Sequence, residues 1–322
     1  MRERIKTRPD HESCHSNSRG PYSPIPPDVL APYVPMMAPA PKNALELDLR
    51  NEVSRVMSGP CCRSPSDSAP LFAISREEVN YVNCDSGLPS TDIGLYLSER
   101  PELSSPDHST YGEITLLGAR QLFHHMGLTN NAKTHRNEQP RYQFFDLGSG
   151  GGRLVIQSHL ELPPVFNSVG IELSPSRHKI AAQTWDDLVQ NGDASRIRKL
   201  ALKSWGIDEN DKNFFSSVDL HEGDLFELDI SQATHLYVSS LCFSDDMMKR
   251  VVAKIEREGT SLKIVASLRL LPSDNKIVYG SRTKRAILGS NPWVEFIEMS
   301  WTKARGDGCP VYFYSVKIAD VS

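Results

Sequence analysis

The pattern of apolar and polar positions divides the chain into an irregular N-terminal part and a regular C-terminal part. From about residue 141 onward, short apolar runs alternate with stretches in which apolar residues recur at helical spacing. Such alternation is typical of a mostly parallel sheet with helices on both faces. The pattern predicts strands at 143–147, 168–173, 234–243 and 262–270, another before Gly223, two late strands at 294–301 and 311–318, and helices at 153–160, 175–189, 195–205 and from Ser244 onward.

The N-terminal part has a different composition and no sustained period. Nine prolines fall within residues 1–42, where they alternate with serine, asparagine and charged residues. Each proline removes a backbone donor and restricts the residue before it, so we expect an extended or disordered arm. Helical spacing appears at 44–57 and again at 114–126, where Gly127 follows as a C-terminal cap. We therefore predict two helices ahead of the regular part of the chain.

Composition and charge exclude several classes of protein. With 322 residues, 39% of them apolar and 24% charged, the chain can form a large core. Its formal net charge of −4 argues against nucleic-acid binding through bulk charge. No apolar run is long enough for a membrane span, and the first residues do not resemble a secretory signal. The six cysteines include no Cys-x-x-Cys pair, so we expect no metal site and an intracellular protein with reduced thiols.

A glycine-rich turn carries the first candidate chemistry. Gly148, Gly150 and Gly152 lie directly between a predicted strand and a predicted helix, where the backbone can approach a ligand that a Cβ atom would exclude. The spacing differs from the Gly-x-Gly-x-x-Gly fingerprint of dinucleotide sites. Asp146 at the end of the strand would repel a pyrophosphate. An acid at this position favours a cationic ligand with an adenosine group.

Two further acids follow later strands. Glu172 ends the next strand, where its carboxylate can accept hydrogen bonds from both hydroxyls of a ribose. Asp224 follows another strand and can accept from an exocyclic adenine amine, while Leu225 packs on the ring. Together with Asp146, these acids predict a pocket for S-adenosylmethionine. A purely structural glycine turn is the alternative interpretation.

This pocket and the strand pattern specify a fold class. We expect an α/β protein with a doubly wound, seven-stranded, mostly parallel sheet and an antiparallel C-terminal hairpin formed by the two late strands. A Pro/Ser-rich, largely disordered arm at 1–70 would precede it, followed by an N-terminal lobe with a cofactor-covering loop and helix at 71–140. The methyltransferase core would occupy 141–322.

Several short segments resemble one family of methyltransferases and occur in the same order. The chain is similar, over about residues 109–318, to the disruptor-of-telomeric-silencing family. These are lysine methyltransferases without a SET domain that modify the globular core of histone H3. The segments that carry the resemblance are Tyr111-Gly112-Glu113, 145–150, Gly223-Asp224, 238–243, and Trp301-Thr302 followed by 310–314.

The resemblance implies a role for individual residues on each side of the site. Tyr111 and Glu113 would lie in a loop over the methionine end of the cofactor, and Asp146, Gly148, Glu172 and Asp224 match cofactor contacts of the family. Leu225 stands where the family has an aromatic residue against the adenine. Ser239 begins the segment beside the transferred methyl group, Phe243 matches its last aromatic residue, and Trp301 with the aromatics around Tyr312, which include Tyr314, would line the lysine channel. The predicted catalytic set is therefore Ser239, Phe243, Tyr312 and Tyr111, and the predicted cofactor set is Glu113, Asp146, Gly148, Gly150, Gly152, Glu172, Asp224 and Leu225.

This chain departs from the family pattern near the acceptor. Ser239-Ser240 replaces two asparagines, and Gly151 and Arg153 replace the more usual valine and glutamine. The loop at 303–309 is several residues longer than in the family. We therefore expect the acceptor to be a core lysine of histone H3 in nucleosomes or a lysine of a related protein.

The expected activity is that of an S-adenosylmethionine-dependent protein-lysine N-methyltransferase. No His, Glu or Asp is an obvious general base, so we expect a narrow aromatic channel to desolvate the lysine and align its nitrogen with the methyl group. The alternatives are a small-molecule methyltransferase and an inactive cofactor-binding scaffold. The aromatic residues of the channel would then belong to the hydrophobic core.

The partners follow from this activity. We expect a monomer that acts on a protein substrate without membrane contact and lies in the nucleus as a chromatin regulator, rather than in the cytoplasm. Arg196, Lys199 and Lys203 form a basic stripe on the predicted helix at 195–205. Such a stripe is either a solvated face or a weak contact with nucleosomal phosphate.

Overall fold

The computed structural model describes residues 39–57, 114–129, 141–209, 216–241, 243–272, 285–289, 291–299 and 308–319. They all belong to the larger of two units into which the chain divides, residues 34–322. Three predicted site residues, Tyr111, Glu113 and Trp301, lie outside the described ranges.

The centre of this unit is a mixed sheet that is mostly parallel. In spatial order the strands are β3-β2-β1-β4-β5-β8-β6, and β7 also pairs with β8. Strands β1 to β5 run parallel to one another, whereas β8 is antiparallel to β5, β6 and β7. The predicted fold class is therefore confirmed. The strands are β1 (Tyr142–Leu147), β2 (Val165–Glu172), β3 (Ser217–Glu222), β4 (His235–Val238), β5 (Ile264–Ser267), β6 (Arg285–Leu288), β7 (Trp293–Ile297) and β8 (Cys309–Ala319).

Strands β6 and β7 are two halves of one edge position. The first part of β8, up to Phe313, pairs with β7. Its last part, from Val316 onward, pairs with β6 along the same edge of β8. Eight strand segments therefore occupy seven positions. The sequence pattern predicted β7 and β8 but not β6.

The predicted strand at 234–243 is shorter in the structure, because β4 ends at Val238. The chain turns at this point: the amide of Ser240 donates to the carbonyl of Val238 at 2.8 Å, and the amide of Phe243 donates to the carbonyl of Ser240 at 3.0 Å. Leu241 and Phe243, which follow the strand, nevertheless pack against the core clusters on the two faces of the sheet. Ser239 and Phe243 therefore follow the last residue of β4, although the amide of Ser239 still donates to the carbonyl of Leu147 in β1.

Six helices accompany the sheet in the described residues, and side chains cap several of them. The hydroxyl of Ser174 accepts a hydrogen bond from the amide of Arg177 at the start of one helix, and Ser244 does the same for Met247 at the start of another. The N-terminal cap predicted at Ser244 is therefore confirmed. The helices are α1 (Ala44–Met57), α2 (Leu116–His125), α3 (Arg153–Glu161), α4 (Pro175–Gln190), α5 (Asp193–Ser204) and α6 (Asp245–Glu258). No helix among the described residues is long and apolar enough to cross a membrane.

Buried side chains form clusters on both faces of the sheet. Phe123 of α2 packs with Phe144 on one face, and Val251 of α6 packs with Leu236 on the other. A third cluster joins α1, α3 and α5 and includes the fully buried Val53. The segment at 44–57, part of the predicted arm, is therefore folded against the core. The boundaries of the three predicted segments stay a prediction.

Candidate active site

The candidate residues lie where the parallel strands end. Gly148 follows β1, Glu172 ends β2, Asp224 follows β3 by two residues, and Ser239 follows β4. Tyr312 on the antiparallel β8 pairs with Ser267, the last residue of β5. Because the carboxyl ends of parallel strands meet at one edge of a sheet, the topology brings all of these residues to that edge.

The glycine turn adopts a backbone conformation that favours glycine. Gly148, Gly150 and Gly152 have positive φ angles of 86°, 55° and 77°. Residues other than glycine rarely adopt such positive φ angles without strain. The amides of Gly148 and Ser149 donate to the carbonyl of Ile171 at 3.0 and 2.9 Å. The turn is therefore tied to β2, next to the predicted ribose-binding acid.

The carboxylate of Glu172 holds the turn in place. Its Oε2 accepts a hydrogen bond of 2.7 Å from the amide of Gly150, and its Oε1 accepts one of 3.0 Å from the amide of Ser174. The guanidinium of Arg177 lies 3.9 Å from Oε1. Since a carboxylate oxygen has two lone-pair sites, each oxygen can still accept from a ligand hydroxyl. The structure thus gives Glu172 a positioning role that sequence reasoning missed.

Asp146 is buried and incompletely satisfied. Its side chain is 3% exposed, and its Oδ1 accepts no hydrogen bond from any described residue. Burial and the nearby negative charge of Glu172 raise its pKa to about 8. A buried carboxylate without a partner is costly, and a cationic ligand would supply the missing partner. This orphaned oxygen fits a ligand that carries a sulfonium and an ammonium group.

The acid that follows β3 shapes a tight turn. Oδ1 of Asp224 accepts a hydrogen bond of 3.0 Å from the amide of Phe226, and the preceding Gly223 donates to the carbonyl of Glu172 at 2.9 Å. Leu225 is 7% exposed and belongs to the core cluster on the α6 face. Lys254, almost fully buried in α6, donates to the carbonyl of Phe226 at 3.2 Å. Sequence reasoning missed Lys254, since a lysine on an amphipathic helix is usually exposed.

The acceptor side of the site contains half-buried residues. Ser239 is half-buried and its amide donates to the carbonyl of Leu147 at 3.0 Å. A Cβ atom on Gly148 would lie only 3.5 Å from the Cβ of Ser239, so the glycine turn and this residue are neighbours. Phe243 and Tyr312 are partly buried and pack against the core cluster on the α6 face.

The two tyrosines of β8 differ in environment. Tyr314 is 3% exposed, and its hydroxyl accepts a hydrogen bond of 2.8 Å from the amide of Leu271. Burial raises the pKa of Tyr314 to about 12. Tyr312 is half-buried, and burial also raises its pKa. Tyr314 is therefore a core residue, and Tyr312 is the one with accessible surface at the strand ends.

Acidic neighbours offset much of the basic stripe on α5. Arg196 pairs with Glu52 of α1 at 2.8 Å and with Asp193 at 2.7 Å. Lys203 pairs with Glu209 at 3.3 Å. Lys199 is exposed, and the described part of the chain offers it no ion-pair partner.

Comparison with protein families matches residues 104–312 to the family described as Histone methylation protein DOT1. The chain belongs to this family. The match spans more than half of the chain and includes the glycine turn, the three acids and the segment after β4. It confirms the family resemblance seen in the sequence, with S-adenosylmethionine as the cofactor of a methyltransferase. A search of curated proteins found no match.

Several solved structures show a low similarity. An RNA methyltransferase from Salinibacter ruber in complex with S-adenosyl-L-homocysteine is 20% identical, with 54% of this chain and 80% of that chain covered and a TM-score of 0.31. A putative S-adenosyl-L-methionine-dependent methyltransferase from Methanococcus maripaludis is 16% identical, with coverages of 57% and 67% and a TM-score of 0.32. TrmN from Thermus thermophilus is 13% identical, with coverages of 66% and 52% and a TM-score of 0.39. These values are too low to indicate a substrate.

Proposed function

We propose that this methyltransferase is a histone-lysine N-methyltransferase that modifies a core lysine of histone H3 in nucleosomes or a lysine of a related protein. The family match over residues 104–312 carries the proposal. The arrangement of the strand ends supports it, because a cation-binding acid and half-buried acceptor-side residues share one edge of the sheet. A nucleosomal substrate would make this a nuclear protein and a chromatin regulator.

The residues at the strand ends have the chemistry to hold the cofactor. Asp146 would face its cationic part, and the remaining lone pairs of Glu172 would accept from the ribose hydroxyls. Asp224 and Leu225 would contact the adenine. Gly148, Gly150 and Gly152 leave the backbone open to a close approach. When bound, the cofactor supplies an activated methyl group to a neutral nitrogen.

The acceptor side would prepare the lysine. A lysine amine attacks only after its ammonium loses a proton, and apolar surroundings lower the pKa of an ammonium by disfavouring its charged form. Phe243 and Tyr312 would provide these surroundings, while Ser239 would orient the nitrogen beside Gly148. Tyr111, Glu113 and Trp301 stay part of the proposed site on the basis of the family resemblance. Positioning and desolvation would then replace a general base.

Radiolabelled cofactor tests the proposal directly. The full chain is incubated with methyl-labelled S-adenosylmethionine in three separate reactions. The first contains recombinant nucleosomes, the second free histones and the third a total nuclear lysate. We expect one labelled protein whose label is recovered in methyl-lysine after hydrolysis. A labelled metabolite would instead indicate a small-molecule enzyme, and no label with intact cofactor binding would indicate a scaffold. The variant Asp146→Asn serves as the binding-deficient control.

A further inference from the structure

The segment 239–243 that follows β4 carries two of the proposed acceptor-side residues but lies outside the sheet. In its described residues, 239–241 and 243, the backbone is held by hydrogen bonds from the amide of Ser239 to Leu147, from that of Ser240 to Val238 and from that of Phe243 to Ser240. Because these bonds do not form a continuous ladder, side-chain contacts help to hold the described residues of the segment in one conformation. Side chains at and just after the end of β5 supply them.

A pair of serines joins the ends of β4 and β5. Ser240 and Ser267 are both fully buried, and their hydroxyl oxygens are 2.8 Å apart. The amide of Arg269 donates to the hydroxyl of Ser240 at 3.0 Å. Because these groups are buried and satisfy one another, they fix the spacing between the two strand ends. Ser240 is therefore part of the scaffold, whereas its neighbour Ser239 is half-buried.

The side chain of Arg269 spans the rest of the segment. One guanidinium nitrogen, Nη1, donates to the carbonyl of Phe243, and the other, Nη2, donates to Oδ1 of Asp245 at 2.6 Å. Asp245 lies in the first turn of α6, so the same guanidinium binds the end of the segment and the start of the helix. A planar guanidinium has donors in a fixed fork that can serve two acceptors at once, which an ammonium cannot reproduce in the same geometry.

We propose that Arg269 is a positioning residue for methyl transfer, because it fixes the segment 239–243 between the glycine turn and Tyr312. The inference rests on the proposed function, in which this segment faces the acceptor lysine. Arg269 acts through the backbone carbonyl of Phe243. Its loss should therefore impair the orientation of the acceptor side while the acids that hold the cofactor keep their places.

Three variants separate this role from a general structural one. Arg269→Ala removes both side-chain hydrogen bonds, and Arg269→Lys keeps the charge but not the fork. Lys249→Ala is the matched control, since it removes an exposed ion pair with Asp246 of 3.3 Å in the same turn of α6 without a contact to the segment. Each variant is compared with the wild type by hydrogen exchange of the peptide 239–245, calorimetric binding of S-adenosyl-L-homocysteine, and kcat with labelled cofactor and nucleosomes.

We expect Arg269→Ala to exchange the amides of 239–245 at least about tenfold faster and to lower kcat by about tenfold or more. The variant loses two charge-assisted hydrogen bonds to this peptide, and the loss of one such bond already changes a rate by about this order. Its dissociation constant for S-adenosyl-L-homocysteine and its Tm should stay close to those of the wild type. Arg269→Lys should be intermediate in exchange and in kcat. Lys249→Ala should match the wild type in all measurements.

The outcomes against the inference are distinct from failure of the proposed function. Unchanged exchange of 239–245 in Arg269→Ala would overturn the inference, as would unchanged kcat with faster exchange. A fall in kcat that is accompanied by weaker cofactor binding and a lower Tm would also overturn it, because this pattern indicates general destabilisation. If the wild type labels no acceptor, the proposed function fails, and the exchange measurement alone decides whether Arg269 fixes the segment.

Discussion

The amide of Gly150 donates a hydrogen bond of 2.7 Å to Oε2 of Glu172, so the glycine turn after β1 is bound to the last residue of β2. The other oxygen of the same carboxylate accepts from the amide of Ser174 at the start of α4. One acid therefore fixes the turn and the cap of the following helix. We therefore propose that Glu172 serves the cofactor site through this arrangement as well as through a direct contact.

Replacement of Glu172 by glutamine should weaken cofactor binding through the glycine turn. The side-chain amide nitrogen would face one of the two backbone donors, which leaves a buried N–H group without an acceptor. Such a loss costs about 1–3 kcal/mol in stability, and we expect a fall in cofactor affinity of about tenfold or more. Calorimetric titration with S-adenosyl-L-homocysteine and thermal unfolding measure the two effects.

The matched control for this variant is Glu222→Gln. Glu222 is the residue that pairs with Glu172 in the neighbouring strand β3, and its side chain is exposed. The control should bind the ligand with the wild-type affinity. Equal affinities for both variants would show that the carboxylate of Glu172 does not organise the site.

Asp146→Asn should stabilise the ligand-free protein while it weakens cofactor binding. Burial and the charge of Glu172 raise the pKa of Asp146 from 3.8 to about 8, so the folded protein keeps a proton that the unfolded chain releases. The stability from this group is therefore lost as pH rises from about 4 through about 8. Asparagine has no such charge, so the Tm of the variant should increasingly exceed that of the wild type over this range. Parallel Tm profiles for the two proteins would contradict the expectation.

Cofactor affinity should rise with pH over the range in which the stability of the ligand-free protein falls. A bound cation stabilises the ionised form of Asp146, so the wild-type affinity for S-adenosylmethionine should rise as pH approaches about 8. The ligand's own amine also titrates in this range, and its effect is common to both proteins. The difference between wild type and Asp146→Asn therefore isolates the carboxylate. An affinity ratio that does not change with pH would rule out a direct role for its charge.

Much of this site could be predicted from the sequence because the fold itself brings it together. Strands and helices follow from periodicity, and a parallel sheet places the residues after each strand at one edge. The strand pattern alone therefore groups Asp146, Glu172 and Asp224. The glycine turn was predictable for the same reason, since its positive φ angles leave few alternatives to glycine.

Other features have no signal in the local sequence. The guanidinium of Arg198 is buried under four backbone carbonyls, those of His159, Leu162, Pro163 and Val165, although it lies on a helix rich in exposed basic residues. The bonds of Ser240 with Ser267 and of Arg269 with Phe243 join residues that are 26 or more positions apart. Tertiary contacts of this kind depend on side-chain geometry. Periodicity alone does not specify them.

Two glycines with the same backbone conformation allow strain and steric clash to be separated. Gly152 and Gly192 have φ angles of 77° and 73°, and each lies immediately before a helix. A Cβ atom at position 152 would lie 2.8 Å from the Cβ of Ala181, whereas one at position 192 would have no heavy atom of the described residues within 4 Å. Gly192→Ala should therefore lower the free energy of unfolding by only about 1–2 kcal/mol, because the left-handed conformation is its single penalty. Gly152→Ala should lower it by about 1–3 kcal/mol more, because of the clash.

Urea unfolding measures both free energies. The two variants should also differ in ligand binding, since the clash would move α3 or α4 at the end of the glycine turn. Equal losses of stability would indicate that α4 moves away from α3 without cost.

Replacement of Tyr312 by alanine should reduce turnover while cofactor affinity stays close to that of the wild type. In the proposed mechanism, Tyr312 helps to desolvate the acceptor lysine, and loss of this effect should lower kcat about tenfold or more. Tyr314→Phe is the control on the same face of β8: it removes the acceptor for the amide of Leu271 and should reduce stability by about 1 kcal/mol. Steady-state kinetics with labelled cofactor compare the two. Unchanged turnover in Tyr312→Ala would contradict a role in the acceptor channel.

The basic stripe on α5 should contribute to nucleosome binding through Lys199 rather than Arg196. Glu52 and Asp193 already neutralise Arg196, so the removal of Arg196 should change the salt dependence of nucleosome binding little. Because these ion pairs are exposed, the same change should lower stability by less than about 1 kcal/mol. Lys199 is exposed, and if it contacts a phosphate, Lys199→Ala should reduce the slope of log affinity against log salt concentration by about 1. Nucleosome affinity of both variants, measured over a salt series, tests this difference. Identical slopes for the wild type and Lys199→Ala would remove Lys199 from the nucleosome-binding surface, because a phosphate contact by this lysine must appear in the salt dependence.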